Sequence, residues 1–259
     1  MSESFVIPYC GTAPVPAELW SRWNFDPALL LALLAMLAVL LGAARKPARQ
    51  WTHAIAWHPS LHGWAALTLG LITPLCGLSV ALFSARVAQH MWLVLVAAPL
   101  LALGTMPRMP GMAGPGTAAG VFAAALWVWH LPAAYSATFT SDITYWVMHI
   151  TLTGSAVLLW STLFDARNHN IVARLAAAFG TLLQMGLLGA IITFAPRMLY
   201  SQHLASAPVW GLRPLEDQQL GGLIMWVPGC VALTGIVLVL VLQLVRTRSS
   251  SAPLTGSAR

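Results

Sequence analysis

Residues 27–44 read PALLLALLAMLAVLLGAA, eighteen positions with no charged side chain. At 1.5 Å per residue such a helix is about 27 Å long, close to the hydrocarbon thickness of a bilayer. Six further windows have the same character: 61–83, 87–105, 117–135, 143–164, 171–195 and 219–245. A barrel would need strands of about ten residues that alternate apolar and polar positions, and these runs do not alternate. The sequence therefore predicts an all-α integral membrane protein, a bundle of seven transmembrane helices.

Composition agrees. Of 259 residues, 58% are hydrophobic and only 8% charged, where a soluble domain averages about a quarter charged. The formal charge of +6 comes from basic residues scattered through the connections. With no basic stripe, this argues for a membrane surface and against nucleic acid. Three cysteines, Cys10, Cys76 and Cys230, lie far apart without a CxxC. They suggest neither a disulfide framework nor a zinc ribbon, and Cys76 and Cys230 read as buried structural thiols. The opening MSESFVIPYCGTAPVP lacks a basic n-region, so no cleavable signal peptide is expected.

Lys and Arg in the connections set the orientation. Arg45, Lys46, Arg49, Arg108, Arg167, Arg174, Arg246, Arg248 and Arg259 fall on one side, and Arg22, Arg86, Arg197 and Arg213 on the other. The richer side is expected to be cytoplasmic. That places a tail of residues 1–26 outside, a membrane domain over 27–245, and a disordered cytoplasmic tail over 246–259.

Ionisable groups inside a bilayer are costly and mark functional sites. With this orientation, His90 lies about 5 Å below the outer surface, His130 about 8 Å and His149 about 9 Å. His203 falls in the outer connection between the last two spans, and Asp217 and Gln218 open the last span there. Asp142, Tyr145, His149 and Thr153 form one polar stripe at helical spacing, which should face the interior. Arg86 shares a face with His90, although its ordinary reading is a residue that snorkels to lipid phosphates. Met91, Met148 and Met225 lie at similar depth. The candidate metal ligands are His90, His130, His149 and His203, supported by Asp217, Gln218, Tyr145, Met225 and Arg86. Neutral imidazole with thioether suits Cu(I), and imidazole with carboxylate also suits zinc. His53, His58, His62 and His169 fall on the other side.

These segments resemble the CtaG family of cytochrome c oxidase assembly factors, seven-span bacterial proteins associated with caa3-type oxidases. The matching stretches are SARVAQHMWLVLVAAPLLALG (84–104), LWVWHLPAAY (126–135), TYWVMHITLTG (144–154), GAIITFAPRMLYSQH (189–203) and EDQQLGGLIMWVPG (216–229). The resemblance covers roughly 80–245. It implies a plasma-membrane protein that helps to build the oxidase, with copper as its cargo, an oxidase subunit as partner and a copper carrier as a further one. It also aligns His90, His130, His149, Asp217 and Gln218 with the family's characteristic polar positions. Family members often read H-M-x-Q-H at the start of the third span, where this chain has Arg86-Val-Ala-Gln-His90. Arginine cannot ligate a metal at ordinary pH.

Two rival functions fit the same histidines. In an intramembrane zinc hydrolase, His90, His130 and His149 would be ligands and Asp217 the base. In a haem or quinone protein, paired histidines would ligate iron. The sequence has no HExxH.

Overall fold

The computed structural model describes residues 7–43, 59–105, 113–165 and 170–250, and among these every regular element is helical. Helix α1 spans Pro27–Ala43, α2 Pro59–Ile72 and α3 Leu75–Ala81. Helix α4 (Phe83–Trp92) passes through a π-helical turn at Leu93–Ala97 into α5 (Ala98–Thr105). Then follow α6 (Pro115–Trp129), the short α7 (Pro132–Ala137), α8 (Asp142–Phe164), α9 (Ile171–Thr193) and α10 (Pro214–Ser250).

Four stretches among the described residues are long and apolar enough to cross a bilayer: Phe83–Gly104, Asp142–Phe164, Ile171–Thr193 and Pro214–Arg246. The pair α2 and α3 is bent by 47°, and Pro27–Gly42 and Pro115–Trp129 are shorter apolar helices. Large apolar side chains such as Phe179, Leu183, Val231 and Leu242 face outward, as expected where lipid is the solvent. The chain is a membrane protein. Helix α10 continues past Val245, the end expected for the membrane domain, to Ser250. Arg45, Lys46, Arg49, Arg108, Arg167 and Arg259, used above for orientation, lie outside the described residues, as do His53, His58 and His169.

Prolines set the breaks. Pro74 has no N–H to offer the carbonyl of Gly70, and in an apolar bundle a freed carbonyl must find another donor. The Gln89 side-chain amide supplies it at 2.8 Å. Asn24 satisfies the neighbouring carbonyls, its backbone N–H donating to Ile72 (2.8 Å) and its side chain to Leu71 (3.3 Å). Pro132 drives Leu131 into extended backbone (φ −67°, ψ 132°) and ends α6, which leaves His130 as its C-cap. The widened turn after Trp92 leaves the Val94 carbonyl to accept from Trp160 Nε1 at 2.8 Å.

The core is built from Phe83, Val87, Met91, Leu126, Leu152, Trp160 and Met225. Helices α9 and α10 approach closely at glycine: a Cβ on Gly222 would lie 2.7 Å from the Thr193 backbone nitrogen and 2.8 Å from the Gly189 carbonyl oxygen. Small residues let backbones meet where apolar lipid gives no drive to associate.

One sequence expectation is overturned outright. Cys10 and Cys76 are joined in a disulfide across 66 residues, and only Cys230 is free. Their separation along the chain hid a pairing that the folded N-terminal segment creates. That segment, far from a loose tail, lies on the bundle through Asn24, through the Trp210 Nε1–H to Pro14 carbonyl bond (3.1 Å) and through the disulfide.

Candidate functional site

The buried polar groups gather at one end of the bundle, where the N-terminal segment, the α3–α4 bend, the α7–α8 turn and the 194–213 connection meet. Arg86 Nη1 donates to Thr138 (2.7 Å), and Ser206 Oγ donates to the Ala81 carbonyl (2.6 Å).

Three of the expected histidines form a cluster. The His90 ring lies 5.5 Å from that of His149 and 6.1 Å from that of His130, centroid to centroid, with all three side chains buried. Each comes from a different helix: α4, the C-cap of α6, and α8. His130 Nδ1 is 2.7 Å from the Leu126 carbonyl, and His149 Nδ1 is 3.1 Å from that of Tyr145. A carbonyl only accepts, so each Nδ1 carries the proton and each Nε2 presents a lone pair. This carbonyl-held arrangement is the one metal-binding histidines use to fix ring and tautomer. Both nitrogens of His90 and the Nε2 of His149 are buried without a hydrogen-bond partner among the described residues.

Beside this cluster lies an aromatic one. His203 Nε2 and Tyr135 Oη are 2.7 Å apart, and Phe83, Phe139 and Tyr135 ring the imidazole. His203 is thus placed apart from the other three histidines. Burial holds its pKa far below the ordinary range, at about 3, and the Arg86 charge adds to the effect. The Tyr200 hydroxyl donates to the His130 carbonyl (2.8 Å) and joins the two clusters.

Arg86 stands between them. Its Cζ is 4.3 Å from the Phe139 ring centre, 5.2 Å from Tyr135 and 5.8 Å from Tyr145. The side chain is 1% exposed, so it does not snorkel to phosphate as its sequence position suggested. The aromatic faces and Thr138 hold it inside instead. Its Nε and Nη2 have no hydrogen-bond partner among the described residues. A concentration of unsatisfied buried atoms on Arg86, Gln89, His90, His149 and His203 is unusual in a folded protein and marks a place built for something more than packing.

The remaining candidates have structural partners. Asp217 accepts from the backbone N–H groups of Phe83 (2.7 Å) and Ser84 (3.1 Å) and from the Ser84 hydroxyl. Gln218 Oε1 accepts from the Leu199 N–H (2.6 Å) and ties down the 194–213 connection. Met91, Met148 and Met225 are fully buried in the core. In the polar stripe of α8, Tyr145 and His149 are buried, Thr153 is half-buried and Asp142 is exposed. Trp20 and Trp23 are exposed.

Chemically, the cluster offers neutral imidazole. Two imidazoles on one metal, with bonds of about 2 Å, have ring centroids about 5–6.5 Å apart, and the observed 5.5 and 6.1 Å separations fall in that range. Among the described residues no three His, Cys, Asp or Glu side chains are yet arranged to hold an ion. The rings are well placed, and bringing their nitrogens to one point requires rotation of His90, which no hydrogen bond opposes.

Sequence reasoning missed the disulfide, and with it the Tyr9 ring stacked 4.8 Å from Tyr145, whose ring lies tilted 4.2 Å from that of His149. It also missed Gln89 and Asn24, although Pro74 in the middle of an apolar run was a signal that carbonyls would need donors.

No curated protein and no solved structure matches the chain. The family model described as cytochrome c oxidase caa3 assembly factor (Caa3_CtaG) matches residues 108–247. That stretch holds His130, His149, His203, Asp217 and Gln218, while Arg86 and His90 precede it. With more than half of its length matched, the chain belongs to the caa3-type cytochrome c oxidase assembly factor family.

Proposed function

We propose that this protein is a non-enzymatic assembly factor that holds Cu(I) as cargo on His90, His130 and His149 and passes it to the catalytic subunit of the oxidase. One observation carries the reading: imidazoles from three helices stand at ligand-like separations with unsatisfied buried nitrogens among them. Cu(I) accepts soft and imidazole donors in low coordination numbers. A site of two or three neutral donors leaves room for an incoming ligand, which favours exchange over storage. The same donors with Asp217 as a base would suit a zinc hydrolase less well, because the Asp217 carboxylate already accepts three hydrogen bonds.

The proposal includes seven spans in a bacterial plasma membrane, N-terminus outside and C-terminus in the cytoplasm. Two independent features support this orientation. The Lys and Arg count makes the opposite end cytoplasmic, and the Cys10–Cys76 disulfide lies at the end so placed outside, where disulfides persist. The cluster then lies toward the compartment from which a copper carrier would load it.

The test is oxidase activity in cells carrying His149→Ala. The variant protein is expected to stay abundant while oxidase activity falls, and added copper should restore part of it by mass action. Activity that stays low at every tolerated copper concentration, with the variant still abundant, would replace delivery by a docking role. Metal content and the absorption spectrum of untagged protein separate copper from zinc and from haem.

A further inference from the structure

We propose that Cys10 and Cys76, when reduced, form a two-thiolate Cu(I) site beside the histidine cluster, across Tyr145 from His149, with the disulfide as its closed, metal-free state. The inference rests on the copper reading above and adds a second, softer station to it.

The placement is the first argument. Tyr145 Oη lies 3.3 Å from Cys10 Sγ and 3.7 Å from Cys76 Sγ. The ring of the same tyrosine packs, tilted, 4.2 Å from that of His149. Sulfurs and imidazole therefore contact opposite parts of one side chain. A disulfide that served only to staple the N-terminal segment could sit anywhere along Ile7–Asp26; this one touches the residue packed against His149.

Chemistry is the second argument. Thiolates are soft donors that suit Cu(I), and a pair of them matches its low coordination number where zinc would ask for four ligands. Two thiolates flanking one metal need their sulfurs about 4.5 Å apart, twice a metal–thiolate bond of roughly 2.3 Å. The Cys10 and Cys76 Cα atoms are 5.5 Å apart, so side-chain rotation alone can open that gap after reduction. The surroundings favour the anionic product. The Asn24 amide points its N–H at Cys76 Sγ (3.6 Å), and the buried Arg86 guanidinium, which donates to Thr138, lies 5.8 Å from the Tyr145 ring centre.

The steps balance as follows. A dithiol donor protein gives two electrons and two protons to the disulfide, becoming a disulfide itself and leaving two thiols on Cys10 and Cys76. Cu(I) then binds both sulfurs and displaces two protons to solvent, giving a complex of net charge −1 next to the Arg86 cation. Copper stays Cu(I) throughout.

The experiment uses untagged full-length protein in detergent, titrated anaerobically with Cu(I) against a chromophoric Cu(I) chelator. Samples are the oxidised protein, protein reduced with a phosphine and desalted, reduced C10S/C76S, and reduced His149→Ala. Thiol counts verify reduction, and thermal melts verify folding. Reduction is expected to add one Cu(I) equivalent, bound at least about tenfold more tightly than any copper on the oxidised protein. The C10S/C76S variant should lack the added equivalent, and His149→Ala should keep it. Folded, reduced protein that takes up no more Cu(I) than the oxidised form overturns the proposal. So does an added equivalent that persists in C10S/C76S. Should the oxidised protein bind no copper while the reduced protein binds one equivalent through its cysteines, the histidine reading fails and the thiolate site stands.

Discussion

Asp217, at the start of α10, caps a helix other than its own: its carboxylate accepts from the backbone N–H of Phe83, the first residue of α4, and from Ser84. The residue before α4, Leu82, has no side chain able to do so. A carboxylate at a helix N-terminus also meets the favourable end of the helix dipole. Because α4 carries Arg86, Gln89 and His90, this cap fixes the register of the site from a distance.

Asp217→Asn should therefore act on stability. Buried charge-assisted bonds to N–H donors are lost or weakened, at a cost of about 2–4 kcal/mol. Thermal unfolding in detergent should show a lower midpoint and membranes should contain less protein. A variant as stable as the parent but poor in copper binding would move Asp217 from cap to ligand.

Gly222→Ala should separate α9 from α10, because its Cβ would meet Thr193 and the Gly189 carbonyl, which are backbone-fixed. A loss of about 1–3 kcal/mol is expected from such overpacking. Gly235→Ala, with nothing within 4 Å of its Cβ, is the control and should leave the melt unchanged.

His203 gives the pH dependence. Its folded pKa of about 3 lies below the ordinary histidine value, so the unfolded chain binds a proton that the folded chain refuses. The sign follows: stability is level above about pH 6.5 and falls as pH drops from there toward 3. At pH 5 this one group costs about 2 kcal/mol relative to neutral pH. Melts at pH 7 and pH 5 should differ less in His203→Gln than in the parent, and equal differences would remove His203 as the cause.

How much of this was legible in advance depended on the range of the interaction. Hydropathy located helical residues in all seven apolar windows, and four stretches among the described residues are long and apolar enough to cross a bilayer. Depth counting brought His90, His130 and His149 together, since helical rise is fixed and the connections are short. His203 shared their depth yet belongs to a separate aromatic cluster, because a loop residue's depth says nothing about its azimuth around the bundle. Arg86 was misread for a related reason: position near a helix end suggests snorkelling, but only the packed rings of Tyr135, Phe139 and Tyr145 show that it turns inward. The Cys10–Cys76 bond, and Asp217 as a cap for Phe83, join residues 66 and 134 positions apart. Nothing local announces either.

Topology is checked with a reporter active only in the cytoplasm. Fusion after Val245 should be active and fusion after His203 inactive. The reverse would put the disulfide end in the cytoplasm, where thiols stay reduced, and would overturn the proposed direction of loading.

Arg86 gives the sharpest test of the histidine cluster. Residues 86 and 90 lie four apart on α4, so their side chains leave the same face about 6 Å from one another. In the oxidised protein the Arg86 cation repels Cu(I) and supplies no lone pair, whereas an imidazole there would do the opposite. Arg86→His should therefore tighten Cu(I) binding by about tenfold or more, worth about 1.4 kcal/mol, in competition with a chromophoric chelator. Arg86→Leu separates the two effects. It removes the repulsion and the desolvation cost of a buried charge that only aromatic faces and Thr138 offset, so its melt should match or exceed that of the parent, and its copper affinity should rise less than that of the histidine variant. Equal affinities in the two variants would mean that position 86 acts only through its charge. Unchanged affinity in both would place the copper, if bound, away from α4 altogether, because no cation this close to His90 could leave a ligand there indifferent to its removal.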